Sequence, residues 1–167
     1  PAALGNLASN AFNECDTLLR IDVDDSNPYF CSVDGVVYSK DRTILKVFPA
    51  GRGGDFTIPN GVTTVSNFAF YRCYQVENIN MYNTVTSIGT AAFMDCTNLT
   101  SITLSTGLTE LSDSMFSDCI NLKNIIISNN VESIGYYTFA RCTSLTSVTI
   151  PDSVVYIDAK AFYKSPD

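Results

Sequence analysis

Six cysteines carry the most reactive side chains of this chain, and no histidine accompanies them. In a secreted chain, six cysteines would indicate disulfide bonds. Their spacing favours another role, because five of them recur at one place in successive copies of a repeated phrase: Cys15, Cys73, Cys96, Cys119 and Cys142. We interpret this column as reduced thiols buried as small hydrophobes, with a disulfide between neighbours as the alternative. Catalysis by these thiols is disfavoured because no histidine could activate them. Cys31 lies outside the column and is predicted to be the most reactive thiol.

Oxygen ligands are concentrated in residues 22–27, where the sequence reads Asp-Val-Asp-Asp-Ser-Asn. The segment lacks the glycine at the sixth position and the glutamate at the twelfth that a calcium loop of the EF-hand type requires. We therefore predict an exposed acidic turn, with a calcium site as the alternative. The chain has no Cys/His spacing typical of zinc sites, and its glycine-rich residues 51–54 precede a strand pattern rather than a helix. No motif pairs two acids for glycosidase chemistry. We expect no catalytic residue, no metal and no cofactor.

The repeated phrase reads apolar-x4-Phe-x2-Cys-x2-Leu-x2-Ile-x-Ile, as residues 88–104 show most completely. From Phe70 onward its phenylalanines are spaced by 23 residues. A fixed period in this range is typical of a solenoid, in which each copy forms one coil and packs only on its neighbours. The phenylalanines of this column are Phe12, Phe70, Phe93, Phe116, Phe139 and Phe162.

Two periodicities within each copy predict its local structure. The Phe, Cys and Leu positions recur every third residue, which favours a short helical turn, either 3₁₀ or α. The Leu-x-x-Ile-x-Ile segment alternates with period two and predicts a short strand. Strands of consecutive coils would stack in parallel, about 4.8 Å apart. The fold class predicted is thus an α/β solenoid, with strands at 21–23, 56–58, 79–81, 102–104, 125–127 and 148–150.

Residues 24–55 depart from the repeat and are predicted to form an atypical coil with a protruding β-hairpin. Asp34-Gly35 stands between β-forming residues, which is the strongest short hairpin signal, and a third strand is predicted over 43–48. We therefore predict a single solenoid over residues 1–167, with regular repeats at 4–23 and 56–167. Both chain ends fall within a repeat and carry no polar cap, so we expect a fragment of a longer chain with flanking modules.

Charge and hydropathy exclude several classes of partner. The net charge is −7, and neither half of the chain has an excess of bases. Without a basic stripe, nucleic acids and anionic membrane surfaces are poor partners. No run of about 18 apolar residues exists, so we expect no membrane insertion.

The coil that runs from Leu145 to Ile157 and on to Phe162 resembles the BspA-like subfamily of leucine-rich repeats, whose pattern is L-x-x-I-x-I-P-x-x-V-x-x-I-G-x-x-A-F-x-x-C. The insertion is similar to a hairpin of that family at Asp34-Gly35-Val36 and Tyr38. The resemblance implies a right-handed horseshoe with its strands on the concave face and its turns on the convex side. It also implies a secreted or cell-surface protein, as in anaerobic bacteria, that takes part in adhesion by binding host or matrix proteins.

Candidate binding residues follow from the phase of the predicted strands, since alternate side chains point away from the core. The concave face is predicted to be rich in hydroxyl and amide groups and nearly neutral. Such a face could bind a protein or a glycan, and the alternative is a solvated sheet in a structural spacer with no ligand of its own. The predicted binding residues are Asn78, Asn80, Tyr82, Ser101, Thr103, Asn124, Ile126, Ser147 and Thr149.

Tyrosines near the predicted turns form a second candidate surface. Aromatic side chains are favoured interface anchors, although scattered exposed tyrosines are ordinary. We predict one aromatic patch on the convex side or flank, made of Tyr71, Tyr74, Tyr136, Tyr137 and Tyr163.

Overall fold

The computed structural model describes residues 1–166 and forms a β-solenoid in which successive coils stack in parallel. Eleven strands are found in these residues, and most of them are short. They are β1 (Phe30–Val33), β2 (Val36–Ser39), β3 (Ile44–Val47), β4 (Gly54–Ile58), β5 (Thr64–Val65), β6 (Val76–Met81), β7 (Ser87–Ile88), β8 (Ser101–Thr103), β9 (Glu110–Leu111), β10 (Ser133–Ile134) and β11 (Tyr156–Ile157).

The predicted ladder of strands is confirmed in its middle and is weaker at its ends. Strands β4, β6 and β8 pair in parallel in that order. The ladder then continues only as single bridges, Ser101 to Asn124 and Ile126 to Thr149, so the full strands predicted at 125–127 and 148–150 are wrong. No strand forms at 21–23, and the amide of Ile21 donates instead to the carbonyl of Gly35 in the hairpin.

A second set of parallel strands runs along another side of the stack and was not predicted. Strands β5 and β7 pair with each other, and β9, β10 and β11 form a separate three-stranded sheet. Each of these strands has only two residues. The alternation that indicates a strand needs about four residues, so sequence patterns could not find them.

The insertion forms the predicted hairpin but does not protrude from the stack. Strands β1 and β2 are antiparallel, with Asp34 and Gly35 both at positive φ (50° and 80°), as a type I′ turn requires. Strand β3 pairs antiparallel with β2 and parallel with β5, so one sheet, β1-β2-β3-β5-β7, joins the insertion to the solenoid. A side chain at Gly35 would place its Cβ 2.4 Å from that of Arg20, which explains the glycine.

The prediction of helical turns is wrong, because no helix is present in residues 1–166. The predicted α/β fold class is wrong for the same reason. The residues two before and two after most of the repeated phenylalanines have left-handed φ, as at Phe68 (57°) and Arg72 (58°). Left-handed residues end a right-handed helix wherever they occur. Alternate amides also bind the next coil, so that Phe70 donates to the carbonyl of Ala92 at 2.8 Å while Tyr71 donates to that of Phe68. This pattern of turns uses the amides that a helix would need.

The phenylalanine column forms the centre of the core, as predicted. Phe70, Phe93, Phe116 and Phe139 are completely buried. The first copy differs, because Phe12 is only half-buried and packs in a separate cluster around Phe30, Val37 and Val47 of the insertion. The core predicted from the repeat is therefore confirmed from Phe70 to Phe139 and divided at the N-terminal end. It is incomplete in the last coil, where Phe162 is half-buried and Ile150 and Ile157 are exposed.

The cysteine column is buried in the regular coils, where the thiols also act as hydrogen-bond donors. The Sγ of Cys96, Cys119 and Cys142 each lies 3.0–3.1 Å from the carbonyl oxygen of the phenylalanine one coil earlier. In the last copy Ser165 takes the cysteine position, and its hydroxyl donates to the carbonyl of Phe139 at 2.6 Å. Serine replaces cysteine here and keeps the hydrogen-bond donor. The interpretation of the column as purely hydrophobic is therefore incomplete.

Two cysteines depart from the predicted burial. All six thiols are free in the structure, but Cys15 in the first copy is exposed and Cys31 is half-buried. Exposure thus makes Cys15, rather than Cys31, the most accessible thiol. Burial raises the pKa of Cys142 to about 12 and also raises that of Cys96, Cys73 and Cys119, so these thiols stay protonated.

A thiol reagent should therefore distinguish two classes of cysteine. In the native protein we expect 5,5′-dithiobis(2-nitrobenzoate) to modify Cys15 first and Cys31 more slowly, because thiolate reactivity requires access and deprotonation. The remaining four should react only at the rate of unfolding. In denaturant the count should approach six, the number of cysteines in the sequence. Rapid modification of four thiols in the native protein would contradict this assignment, and so would a thiol count near zero in denaturant.

Candidate functional site

The predicted binding residues lie along one surface, which we call the strand face. It consists of the outward side chains of β4, β6 and β8 and of the bridged segments that continue this ladder. The pairing places Asn78 beside Ser101, Asn80 beside Thr103, and Ile126 beside Thr149. Asn124 is bridged to Ser101, Tyr82 directly follows β6, and exposed Ser147 precedes Thr149.

Polar side chains on the strand face are held by hydrogen bonds that cross from coil to coil. The amide of Asn78 donates to the carboxylate of Asp55 at 2.6 Å, and its carbonyl oxygen accepts from Ser101 at 2.6 Å and from Thr100 at 3.1 Å. These three contacts fix the orientation of Asn78 before any partner arrives. A surface with fixed polar groups loses less entropy on binding.

Two large side chains on the strand face, one aliphatic and one aromatic, are exposed. Ile126 is 85% exposed and Tyr82 is 51% exposed. Exposed single hydrophobic residues are common on protein surfaces. Here, however, they stand within a row of hydroxyl and amide groups, which is the composition of an interface with apolar anchors and a polar surround.

Two carboxylates of the acidic segment, residues 22–27, form hydrogen bonds with neighbouring residues. The carboxylate of Asp22 accepts from Arg20 at 2.7 Å, and this hydrogen bond lowers the pKa of Asp22. The carboxylate of Asp24 accepts from the hydroxyl and amide of Ser26, which lowers the pKa of Asp24. Such contacts are typical of an acidic turn.

Neither a metal centre nor a membrane span is found in the part of the chain that the structure describes. Over residues 1–166, no group of three or more His, Cys, Asp or Glu side chains is placed to hold a metal ion. No helix in the same range has the length and apolar character to cross a bilayer.

The opposite turns carry a column of charged residues, two positions after each repeated phenylalanine. Arg72 contacts Asp16 at 3.2 Å and Glu14 at 3.3 Å. Arg141 donates to the carboxylate of Asp118, which lowers the pKa of Asp118, whereas burial, followed by the charge of Asp118, raises the pKa of Asp95. Most charges in this column are paired within the chain and are thereby less available to a partner.

The predicted aromatic patch is divided into separate groups. Tyr137 contacts both Tyr136 and Tyr163 in edge-to-face geometry. Tyr71 instead packs against Phe68, and the ring of Tyr74 lies under the guanidinium of Arg72. Only the first three tyrosines form a cluster.

A shallow groove over the second set of strands was missed by sequence reasoning. Tyr156, which is 56% exposed, stands at one end of it. Residues from four coils line the groove, so no local sequence motif indicates it. The only sequence signal for the groove is that its lining residues occupy similar positions in successive repeats. Beside Tyr156 it is lined by Thr90, Glu110, Ser112, Asp113, Ser133, Gly135 and Asp158.

Solved structures show what this solenoid is similar to. A leucine-rich cell surface protein from Faecalibacterium prausnitzii A2-165 is 33% identical, with a TM-score of 0.82 over 91% of this chain and 45% of that chain. A leucine-rich repeat protein of T. pallidum is 29% identical, with a TM-score of 0.69 over 85% of this chain and 66% of that one. The pneumococcal vaccine antigen PcpA, at 24% identity and a TM-score of 0.77 over 86% of this chain and 37% of its own, shares the fold. The chain thus spans less than half of the F. prausnitzii protein.

Sequence comparison gives the family directly. No curated protein matches the chain. The family model of the BspA type leucine rich repeat region matches six copies over residues 49–167, which is most of the chain. The coil-to-coil ladder, the phenylalanine column and this match agree, and the chain belongs to the BspA-type leucine-rich repeat family.

Proposed function

We propose that this solenoid is a non-catalytic module that binds a protein or a glycan through the strand face. The observation that carries the proposal is the 85% exposure of Ile126 on a face where hydrogen bonds between coils orient Asn78 and Ser101 of the adjacent row. Binding hot spots typically combine such an anchor with polar groups that exclude water around it.

We further propose a location at the cell surface or outside the cell. Its support is the family and the likeness to the F. prausnitzii protein, which is described as a cell surface protein. In that setting the partner would be a protein or a glycan of the surroundings, and the module would contribute to adhesion.

The test uses a double substitution that removes both anchors, Tyr82→Ala with Ile126→Asp. The double substitution should weaken binding by about 30-fold or more, since the loss of even one hot-spot side chain costs about 2 kcal/mol or more. Binding is measured by surface plasmon resonance on immobilised basement-membrane extract, as a source of matrix proteins, and on immobilised mucin, as a source of glycans. Circular dichroism verifies that the variant is folded.

The matched control exists in the chain itself. Val155 is 83% exposed and Tyr156 is 56% exposed, and both lie away from the strand face, Tyr156 in β11 and Val155 directly before it. Tyr156→Ala with Val155→Asp should leave binding unchanged. Equal losses in both double variants, or no binding by the parent protein to either surface, would favour the spacer instead.

A further inference from the structure

We propose a second binding site, separate from the strand face, for an anionic oligosaccharide that bears carboxylates or sulfates. The site is the tyrosine–lysine cluster, which lies in the last turns of the described chain. It consists of Tyr136, Tyr137, Lys160, Tyr163 and Lys164.

The aromatic rings of the tyrosine–lysine cluster form a corner with walls at right angles. The ring centroids of Tyr136 and Tyr137 are 4.1 Å apart at an interplanar angle of 81°, and those of Tyr137 and Tyr163 are 5.6 Å apart at 88°. Tyr136 and Tyr163 are each 38% exposed, so part of each side chain is accessible to a ligand. Tyrosine presents an apolar body and a polar tip, which suits a sugar with a C–H face and a hydroxyl rim.

Two ammonium groups complete the corner. The Nζ of Lys160 lies 5.5 Å from the ring centroid of Tyr137 and 5.8 Å from that of Tyr163, and the Nζ of Lys164 lies 5.4 Å from the latter ring. Both lysines are exposed, and cation–π attraction holds them near the rings. Hydrogen bonding to the Tyr137 hydroxyl raises the pKa of Lys160, so this group remains charged at neutral pH.

The tyrosine–lysine cluster contains two lysines and no acidic residue, although the chain as a whole is acidic. Three of the five basic residues after residue 56 are in this region: Arg141, Lys160 and Lys164. Arg141 is bound to Asp118, whereas within residues 1–166 neither lysine has a carboxylate at ion-pair distance. The nearby acids Asp113 and Asp158 accept backbone amides, those of Tyr136 and Ala159.

The backbone beneath the tyrosine–lysine cluster is fixed, which lowers the entropic cost of binding. Tyr137, Lys160 and Lys164 have left-handed φ values of 56°, 59° and 55°. The ladder between coils holds this conformation, since Phe139 donates to the carbonyl of Ala161 and Arg141 to that of Tyr163, both at 2.7 Å. The corner offers ring faces and cations rather than a free strand edge, which favours a sugar over an extended acidic peptide.

The test compares three hexasaccharides and one peptide by isothermal titration calorimetry. Hexagalacturonate carries only carboxylates, maltohexaose sulfate only sulfates, and maltohexaose no charge; a short polyglutamate supplies the same charge without a sugar. The parent protein should bind at least one anionic hexasaccharide and bind maltohexaose at least about tenfold more weakly, since hydrogen bonds to charged groups are the strong ones. The preferred hexasaccharide distinguishes a carboxylate from a sulfate ligand.

Three variants decide the assignment. Lys160→Ala with Lys164→Ala should weaken binding of the anionic hexasaccharide at least about tenfold, and Tyr163→Ala should also weaken it, whereas Lys123→Ala, a change of an exposed lysine elsewhere, should not. The proposal is overturned if neither anionic hexasaccharide binds, if the double variant binds as the parent does, or if Lys123→Ala weakens binding equally. Polyglutamate binding as tight as the sugar, together with no effect of Tyr163→Ala, would assign the site to acidic polypeptides and also overturn the proposal.

Discussion

Phe116→Ala is expected to lower the free energy of unfolding by about 3–5 kcal/mol, the usual cost of deleting a buried aromatic ring. Phe116 is completely buried and stacks on Phe93 and Phe139, with ring centroids 5.5 Å away on each side. Each coil of a solenoid packs only on its neighbours, so a cavity in the middle of the stack weakens two interfaces together. Urea unfolding followed by circular dichroism measures the loss.

Phe162→Ala is the matched control for this change. Phe162 belongs to the same column but is half-buried and stacks within it only on Phe139, at 5.2 Å. Its replacement should cost less than that of Phe116, because less apolar surface is buried and the cavity opens to solvent. Equal losses in the two variants, or an unfolding midpoint unchanged by Phe116→Ala, would show that the phenylalanine column is not the centre of the core.

Gly89→Ala is expected to destabilise the protein by about 1–3 kcal/mol, as overpacking of a close contact does. A Cβ at Gly89 would lie 2.4 Å from the backbone nitrogen and 2.2 Å from the side-chain oxygen of Asn67. That oxygen accepts from the amide of Thr90 at 3.0 Å, so the methyl group would displace a contact that joins two coils. The same arrangement recurs at Gly135, whose Cβ would meet Asp113 while Asp113 accepts from the amide of Tyr136.

Ser66→Ala provides the comparison for Gly89→Ala, because Ser66 occupies the same position one coil earlier and already carries a Cβ. Its replacement should change the free energy of unfolding by less than about 1 kcal/mol. Without this close contact, replacing glycine by alanine would stabilise the protein by about 0.4–1 kcal/mol, because it reduces the conformational entropy of the unfolded chain. A stabilised Gly89→Ala variant would therefore contradict the close approach of the two coils.

The repeat predicted the regular core because one environment recurs in every coil. A period of 23 residues places Phe93, Cys96 and Leu99 where their equivalents lie in the next coil, and all three are buried. The first copy has the same residue pattern, yet Cys15 is exposed and residues 21–23 form no strand. Burial there depends on packing against the hairpin, and this tertiary contact is not encoded in the period.

The turns were mispredicted because spacing by three residues does not determine the sign of φ. Arg72, Asp118 and Arg141 are ordinary residues by sequence, and the left-handed conformation they share is disfavoured for side chains with a Cβ. The amide ladder between coils imposes this conformation. A local pattern therefore indicated helix where long-range hydrogen bonds decided the outcome.

The candidate site was predictable in position but not in its internal contacts. Phase alone placed Asn80, Thr103 and Ile126 on one face, and pairing in the structure brings their strands together. The bonds that orient Asn78, and the division of the tyrosines into groups, depend on which side chains meet across coils. Those contacts follow from rotamers and stacking, for which a single sequence carries no signal.

Hydroxyl-radical footprinting with and without basement-membrane extract or mucin tests the binding role of the strand face most directly, because it needs no substitution. Tyr82 and Ile126, both exposed on this face, should lose oxidation in the complex, whereas Tyr156 and Val155, with similar exposure, should not. Protection of Tyr82 and Ile126 alone is the result we predict. Protection of Tyr156 and Val155 instead, or of none of the four side chains, would contradict a binding role for the strand face.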